Sequence, residues 1–376
     1  MKTKFIGWCT ASILLLTGCG MKNETTTSET QKENDVQDVK TVTSKKENQK
    51  NEAHSINIPD RRQAKRDYAA TLTTIGDSIS EGWLPHGYYE SPYGQYTSDL
   101  LRMNFAQSAC QGNAFVPTKK HKNNNFSDLI KYHEKNIKES SIIVIAEGTN
   151  DYGHNVKLQQ VKAKMDENVK TIKEMNPDAY ILGILPMDRW DKSKTKSAYD
   201  LANKAGYTLK ELCDMEAKVY QDNKIAFTTF QDMGMTLTRD KTIDGLHPLP
   251  ETQKEMGQAL ANHFAKIVMT QYEKPFDKMV TLKQKAPIWA DLSFTSTKNI
   301  LFPGTELRAD KKYHHFNGMS YYSVYNEAGD WVGYVETNQV SVNGEENNDK
   351  KEKKKSSSKT DNKKATQDKK AKDIHP

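Results

Sequence analysis

The sequence predicts a three-layer α/β/α domain on a parallel sheet of about five strands, followed by a small all-β module. Three observations predict it. From about Thr71 to Tyr272, short apolar runs alternate with amphipathic stretches. The apolar runs are rich in β-branched residues and bounded by turn residues. After Tyr272 the helical pattern stops, and short aromatic-rich runs take over.

The strand candidates are Thr71–Ile75, Asn104–Ala109, Ser141–Ala146, Tyr180–Leu185 and Ile225–Phe230. Between and after them, amphipathic patterning predicts helices over Tyr96–Met103, Phe126–Ile137, Leu158–Met175, Ala198–Gln221 and Glu251–Tyr272. The third of these places Val161, Met165, Val169, Ile172 and Met175 at spacings of three and four, as a one-faced helix requires. Strands alternating with helices imply a parallel sheet covered on both faces. In such sheets the reacting groups sit on loops at the carboxyl ends of the strands. The domain is expected over residues 68–272, with a linker over 273–287 and the β module over 288–342. Within the module, Tyr321–Tyr325 and Trp331–Tyr334 flank a turn at Asn326–Asp330 and predict a hairpin.

The two ends of the chain have another texture. Lys2 and Lys4, then an apolar run from Phe5 to Leu16, read as an export signal over residues 1–18, too short for a comfortable permanent span. Residues 19–67 are mostly polar and read as a flexible tether, and residues 343–376 as a disordered Lys-rich tail. The leader carries two Lys and no acid, and the tail eleven Lys against seven Asp and Glu. These ends account for the whole net charge of +6, so the body is neutral and no nucleic-acid-binding face is expected. Of four cysteines, Cys110 and Cys213 lie in the body, compatible with one bridge or with two buried thiols.

Three polar segments fall where reacting groups belong. The first strand ends in Gly76-Asp77-Ser78, the third in Glu147-Gly148-Thr149-Asn150-Asp151. Asp244-Gly245-Leu246-His247-Pro248 precedes the last long helix. Each alone reads as a turn or an N-cap. Together they offer a hydroxyl, an amide, and a carboxylate three residues before an imidazole, close enough to engage Nδ1 and leave Nε2 for a serine proton.

In this order the segments resemble the block pattern of the SGNH (GDSL-type) hydrolases, over about Thr71 to Tyr272. The resemblance implies a flavodoxin-like fold and a serine esterase. Ser78 would be the nucleophile, His247 the base and then acid, and Asp244 its orienting carboxylate. The oxyanion donors it implies are the backbone N–H groups of Ser78 and Gly112 and the side-chain amide of Asn150. The second block departs from the family, since Gln107 and Gln111 stand where asparagine and serine are usual. Trp83, Arg189 and Trp190 are candidate substrate-binding residues, set against ordinary loop packing. Leu16-Thr17-Gly18-Cys19 resembles a bacterial lipobox, which implies lipidation of Cys19 and a membrane anchor on the outer face of a bacterium, Gram-positive for preference. The aromatic module resembles Gly-Trp and bacterial SH3-like modules that bind cell-wall polymers, set against aromatics that fill a small core.

The function expected is hydrolysis of acyl esters, acetyl above others, on a small ester or an acylated envelope glycan, with no cofactor and no metal. Two alternatives stand beside it: an O-acyltransferase with the same triad, and a non-enzymatic wall-binding lipoprotein.

Overall fold

The computed structural model describes residues 54–55, 68–118, 125–190 and 196–344. The expected leader, the Cys19 lipidation site and the Lys-rich tail beyond Gly344 lie outside the described residues. Five parallel strands form the main sheet: β1 (Thr71–Gly76), β2 (Asn104–Gln107), β3 (Ile142–Ala146), β4 (Tyr180–Ile184) and β5 (Ala226–Thr228). Their order is β2-β1-β3-β4-β5.

The helices are α1 (Ser78–Glu81), α2 (Tyr93–Leu101), α3 (Phe126–Tyr132), α4 (Glu134–Glu139), α5 (Thr149–Gly153), α6 (Leu158–Met175), α7 (Leu209–Asp222) and α8 (Pro250–Gln271). They cover both faces, which is why β3 reads as an unbroken apolar run. Ile143 and Ile145 pack toward α3, α6 and α7, while Ile142 and Val144 pack toward α2 and α8. All four are fully buried.

Helix α6 has the expected bounds, with Val161, Met165, Val169 and Ile172 inward. Three others differ for local reasons. The expected Phe126–Ile137 helix breaks at His133, whose ψ of 23° is not helical. Helix α7 begins only at Leu209, because Asn203 accepts the Ala205 and Tyr207 N–H groups and holds the preceding chain in a turn. There Thr208 and Glu211 form a capping box. Helix α2 starts at Tyr93, three residues before the expected Tyr96, and buries that first tyrosine completely.

The C-terminal region is an antiparallel sheet of seven strands: β6 (Glu273–Leu282), β7 (Ala286–Trp289), β8 (Ser296–Leu301), β9 (Glu306–His314), β10 (Ser320–Tyr325), β11 (Trp331–Glu336) and β12 (Val340–Val342). Their order is β8-β7-β11-β10-β9-β6-β12, and a two-residue strand, His54–Ser55, pairs with β8. The expected hairpin is β10–β11, its turn closed by Asn326 and Asp330.

The expected linker over 273–287 is corrected: β6 follows α8 directly. Strand β12 pairs with Val280–Leu282 and the following Asn343 N–H bonds to the Met279 carbonyl, so, among the described residues, 273–278 form an edge on that side. An edge tolerates Pro275 and the charged Lys274, Asp277 and Lys278, which hide the strand in the sequence.

The module meets the domain at the amino ends of the main strands. Phe316, on the β9–β10 turn, packs against Tyr180, Phe264 and Tyr272, with ring centroids 5.1, 5.6 and 5.2 Å away. Ala265 and Val268 of α8 share one core with Trp289, Phe294, Tyr313, Tyr321 and Tyr334. Most of the module's aromatics are therefore core.

Candidate active site

Gly76 closes β1 where the neighbouring strand comes very close: a Cβ there would lie 2.0 Å from the Ala146 carbonyl oxygen. Only glycine fits, and the chain turns at once into α1. Asp77 caps that helix by accepting the Ile79 N–H at 2.8 Å. Ser78 is the first residue of α1, so its own N–H has no partner within the helix.

The Ser78 Oγ lies 2.9 Å from His247 Nε2, and His247 Nδ1 lies 2.8 Å from Asp244 Oδ2. The other Asp244 oxygen accepts the backbone N–H groups of Leu246 and His247. Partial burial pushes the Asp244 carboxyl up. The bonds from the His247 ring and backbone, the electrostatic pull of His247 and the Leu246 N–H outweigh that and hold it well below the usual carboxylate range. The carboxylate thus stays ionised and fixes the ring with a proton on Nδ1 and Nε2 toward Ser78.

Asn150 is the second residue of α5. Its Nδ2 donates to the Asn113 carbonyl at 2.8 Å, which takes one of its two amide hydrogens. Asn113 donates from its own Nδ2 to Glu147 at 2.6 Å. Gly112 precedes Asn113 in a turn closed by the Asn113 N–H on the Cys110 carbonyl. The Cys110 N–H in turn bonds to the Gly76 carbonyl and ties this loop to the end of β1. Cys110 and Cys213 are free thiols.

The three candidate substrate contacts have protein partners. The Trp83 ring lies 4.1 Å from the His247 ring, centroid to centroid. The Trp190 N–H donates to the Gly245 carbonyl at 2.8 Å. Arg189 Nη1 donates to the Thr149 carbonyl and Oγ1.

Four carboxyl groups buried at this end of the sheet escape a reading by sequence: Asp77, Glu147, Asp151 and Glu216. Burial raises Asp77 to about 6, against the Ile79 N–H and the charges of His247 and Arg189. Burial raises Asp151 to about 7, although it accepts the Phe115 and Val116 N–H groups. Glu147 and Glu216 are pushed well above the carboxylate range, again chiefly by burial. Neither Glu216 oxygen has a hydrogen-bond partner among the described residues. One lies where a Cβ on Gly148 would stand, and Gly148 has a φ of +111°. Asp77, Tyr93, Glu147 and Thr149 help line a cavity of about 20 Å³ beneath the serine, room for one water. Asn113 has one visible signal, its place directly after Gly112. Asp77, Glu147 and Asp151 stand in the polar segments singled out in the sequence, and Glu216 on α7, but nothing in the sequence marks them as buried. Among the described residues, no group of three or more His, Cys, Asp or Glu could hold a metal ion.

A hydroxyl, an imidazole and a carboxylate in series make an acyl-transfer site of the serine-hydrolase class. Residues 74–254 match the model of the GDSL-like lipase/acylhydrolase family, so this part of the chain is a GDSL-type domain and the enzyme is a carboxylic ester hydrolase. No curated protein matches the chain. Among solved structures it is similar to Est24, a carbohydrate acetylesterase from Sinorhizobium meliloti, at 18% identity and a TM-score of 0.44, over 53% of this chain and 99% of that one. The inhibitor-bound aryl esterase of M. smegmatis is similar at 17% identity and a TM-score of 0.42, over 52% and 98%. A Lactobacillus plantarum protein is similar at 14% and 0.44, over 52% and 97%.

Proposed function

We propose that the protein is an extracytoplasmic serine esterase that removes acyl groups, acetyl above others, from envelope glycans. The observation that carries the catalytic part is the unbroken chain from Ser78 through His247 to Asp244. Ser78 Oγ attacks the ester carbonyl while His247 Nε2 takes its proton. The carbonyl oxygen becomes an oxyanion, met by the N–H groups of Ser78 and Gly112 and the free amide hydrogen of Asn150. Its collapse breaks the C–O bond, and the departing alcohol takes the proton from His247. Water then attacks acyl-Ser78 by the same route and releases the acid. Neutral donors suit this intermediate because they stabilise its charge without titrating themselves.

The location rests on the leader and on the lipobox-like Leu16-Thr17-Gly18-Cys19, and the glycan on that location together with the module. Among the module's apolar residues, Ile300 and Phe302 are exposed, and Lys285 lies over the Phe302 ring. These are the groups offered to a wall polymer.

The test is p-nitrophenyl acetate hydrolysis by wild type and Ser78→Ala. The variant should lose at least about 10⁴-fold in kcat, and equal rates would end the esterase assignment of Ser78. Metabolic labelling with a radioactive fatty acid, lost in Cys19→Ala, tests the anchor. Sedimentation of the Ser78→Ala chain with purified wall sacculi tests the module, and a chain left in the supernatant would remove the glycan part alone.

A further inference from the structure

Arg189 follows β4, where the sequence predicts a substrate contact, yet its guanidinium faces the protein. Nη1 donates to the Thr149 carbonyl at 2.8 Å and to Thr149 Oγ1 at 3.2 Å, one residue before Asn150. The guanidinium carbon lies 5.8 Å from the centre of the Tyr152 ring. Gly153 leaves room for it, since a Cβ there would come within 3.0 Å of Nη1. Helix α5 is thus shaped around this one side chain.

The same stretch of backbone reaches the other half of the site. The Trp190 N–H bonds to the Gly245 carbonyl, between Asp244 and His247, and the Arg189 carbonyl accepts the Ala198 N–H at 2.7 Å. Two consecutive residues therefore join the turn that carries Asn150 to the loop that carries the base. Helix α5 needs such a tie. It has five residues and starts from Gly148 without a side-chain cap bond, so bonds from outside must hold it in place. Asp151 ties it to Phe115 and Val116, Tyr152 to Leu201 and Asn203, and Asn150 to the Asn113 carbonyl, but none of these reaches the loop that carries the base.

We infer that Arg189 is a positioning residue that sets the Asn150 amide against Ser78 and His247 by clamping α5 to the Asp244–His247 loop. The inference rests on the esterase reading above. It predicts that Arg189 acts on the transition state through Asn150 and does little for substrate affinity. Small displacements of a reacting or stabilising group cost about 100-fold in rate.

The experiment is a double-mutant cycle on p-nitrophenyl acetate turnover with wild type, Arg189→Met, Asn150→Ala and the pair, with Arg189→Lys as a second variant and the Tm of each recorded. Arg189→Met should lower kcat about 10- to 100-fold and leave KM within about threefold. Arg189→Lys should recover part of the loss, and the double variant should be no slower than Asn150→Ala alone. Losses that multiply in the double variant, or a raised KM at unchanged kcat, overturn the inference. If Arg189→Met does not fold, the cycle is run with Arg189→Lys against the same criteria. An active wild type with an inactive Ser78→Ala and multiplying losses removes this inference alone. Equal rates for wild type and Ser78→Ala remove the esterase reading, and this inference with it.

Discussion

The two ends of the main sheet are built on opposite principles. At the amino ends of the strands, Tyr180, Phe264, Tyr272 and Phe316 fill the junction with the module. The polar groups there are paired, Arg102 with Glu336 at 3.5 Å and Asn317 with the Leu101 carbonyl at 3.2 Å. At the carboxyl ends, four buried acids crowd behind Ser78, and among the described residues Glu216 has no hydrogen bond to either oxygen. Buried polar groups without partners destabilise a fold. The comparison teaches that stability is concentrated at one end of the strands and chemistry at the other, as expected where a site breaks local rules that the rest of the chain obeys.

Variants at each end should separate these roles. Asn150→Ala should cost about 100- to 1,000-fold in kcat, with Tm shifted by a few degrees at most. A large fall in Tm with a small change in rate would reverse the assignment of this end. Asp151→Asn tests the acids. The folded state raises Asp151 to about 7, so it holds the proton where the unfolded chain has released it. That preference favours the folded state below the ordinary carboxylate range and is lost as pH rises toward 7. Between pH 4 and 7 the wild type should therefore lose stability relative to Asp151→Asn by a few kcal/mol, since each tenfold difference in proton affinity is worth about 1.4 kcal/mol. Parallel urea-unfolding curves across that range would show the idea to be wrong. Phe316→Ala, at the opposite end, should lower stability by about 2 kcal/mol and leave kcat/KM unchanged at a temperature where both proteins are folded. A rate loss there would mean that the ends are coupled.

Much of this architecture is legible in the amino-acid sequence. The period of α6 marks its bounds because a helix with one buried face writes its repeat into the chain. That Ser78, Asp244 and His247 come together is legible in their order, the serine just past a strand end and the other two in the loop before the last helix. What stays hidden is set by context. Strand β6 reads as a linker because its first six residues form an edge, where charge and proline are allowed. Arg189 and Trp83 read as free contacts, since sequence gives no direction to a side chain. Asp77, Glu147 and Asn113 are polar letters in loops and Asp151 and Glu216 polar letters on helices, and only packing distinguishes them from solvated ones.

The passage from α8 into β6 without an intervening linker has a further consequence. A module on a linker can be exchanged between proteins as a cassette, and its loss leaves the neighbour intact. Here a stop after Tyr272 would leave Ala265 and Val268 of α8 facing water where the module now covers them. The enzyme and its companion sheet would have to be inherited, expressed and lost together. Any surface the module grips also fixes where Ser78 points, about one strand length away just past the carboxyl end of β1.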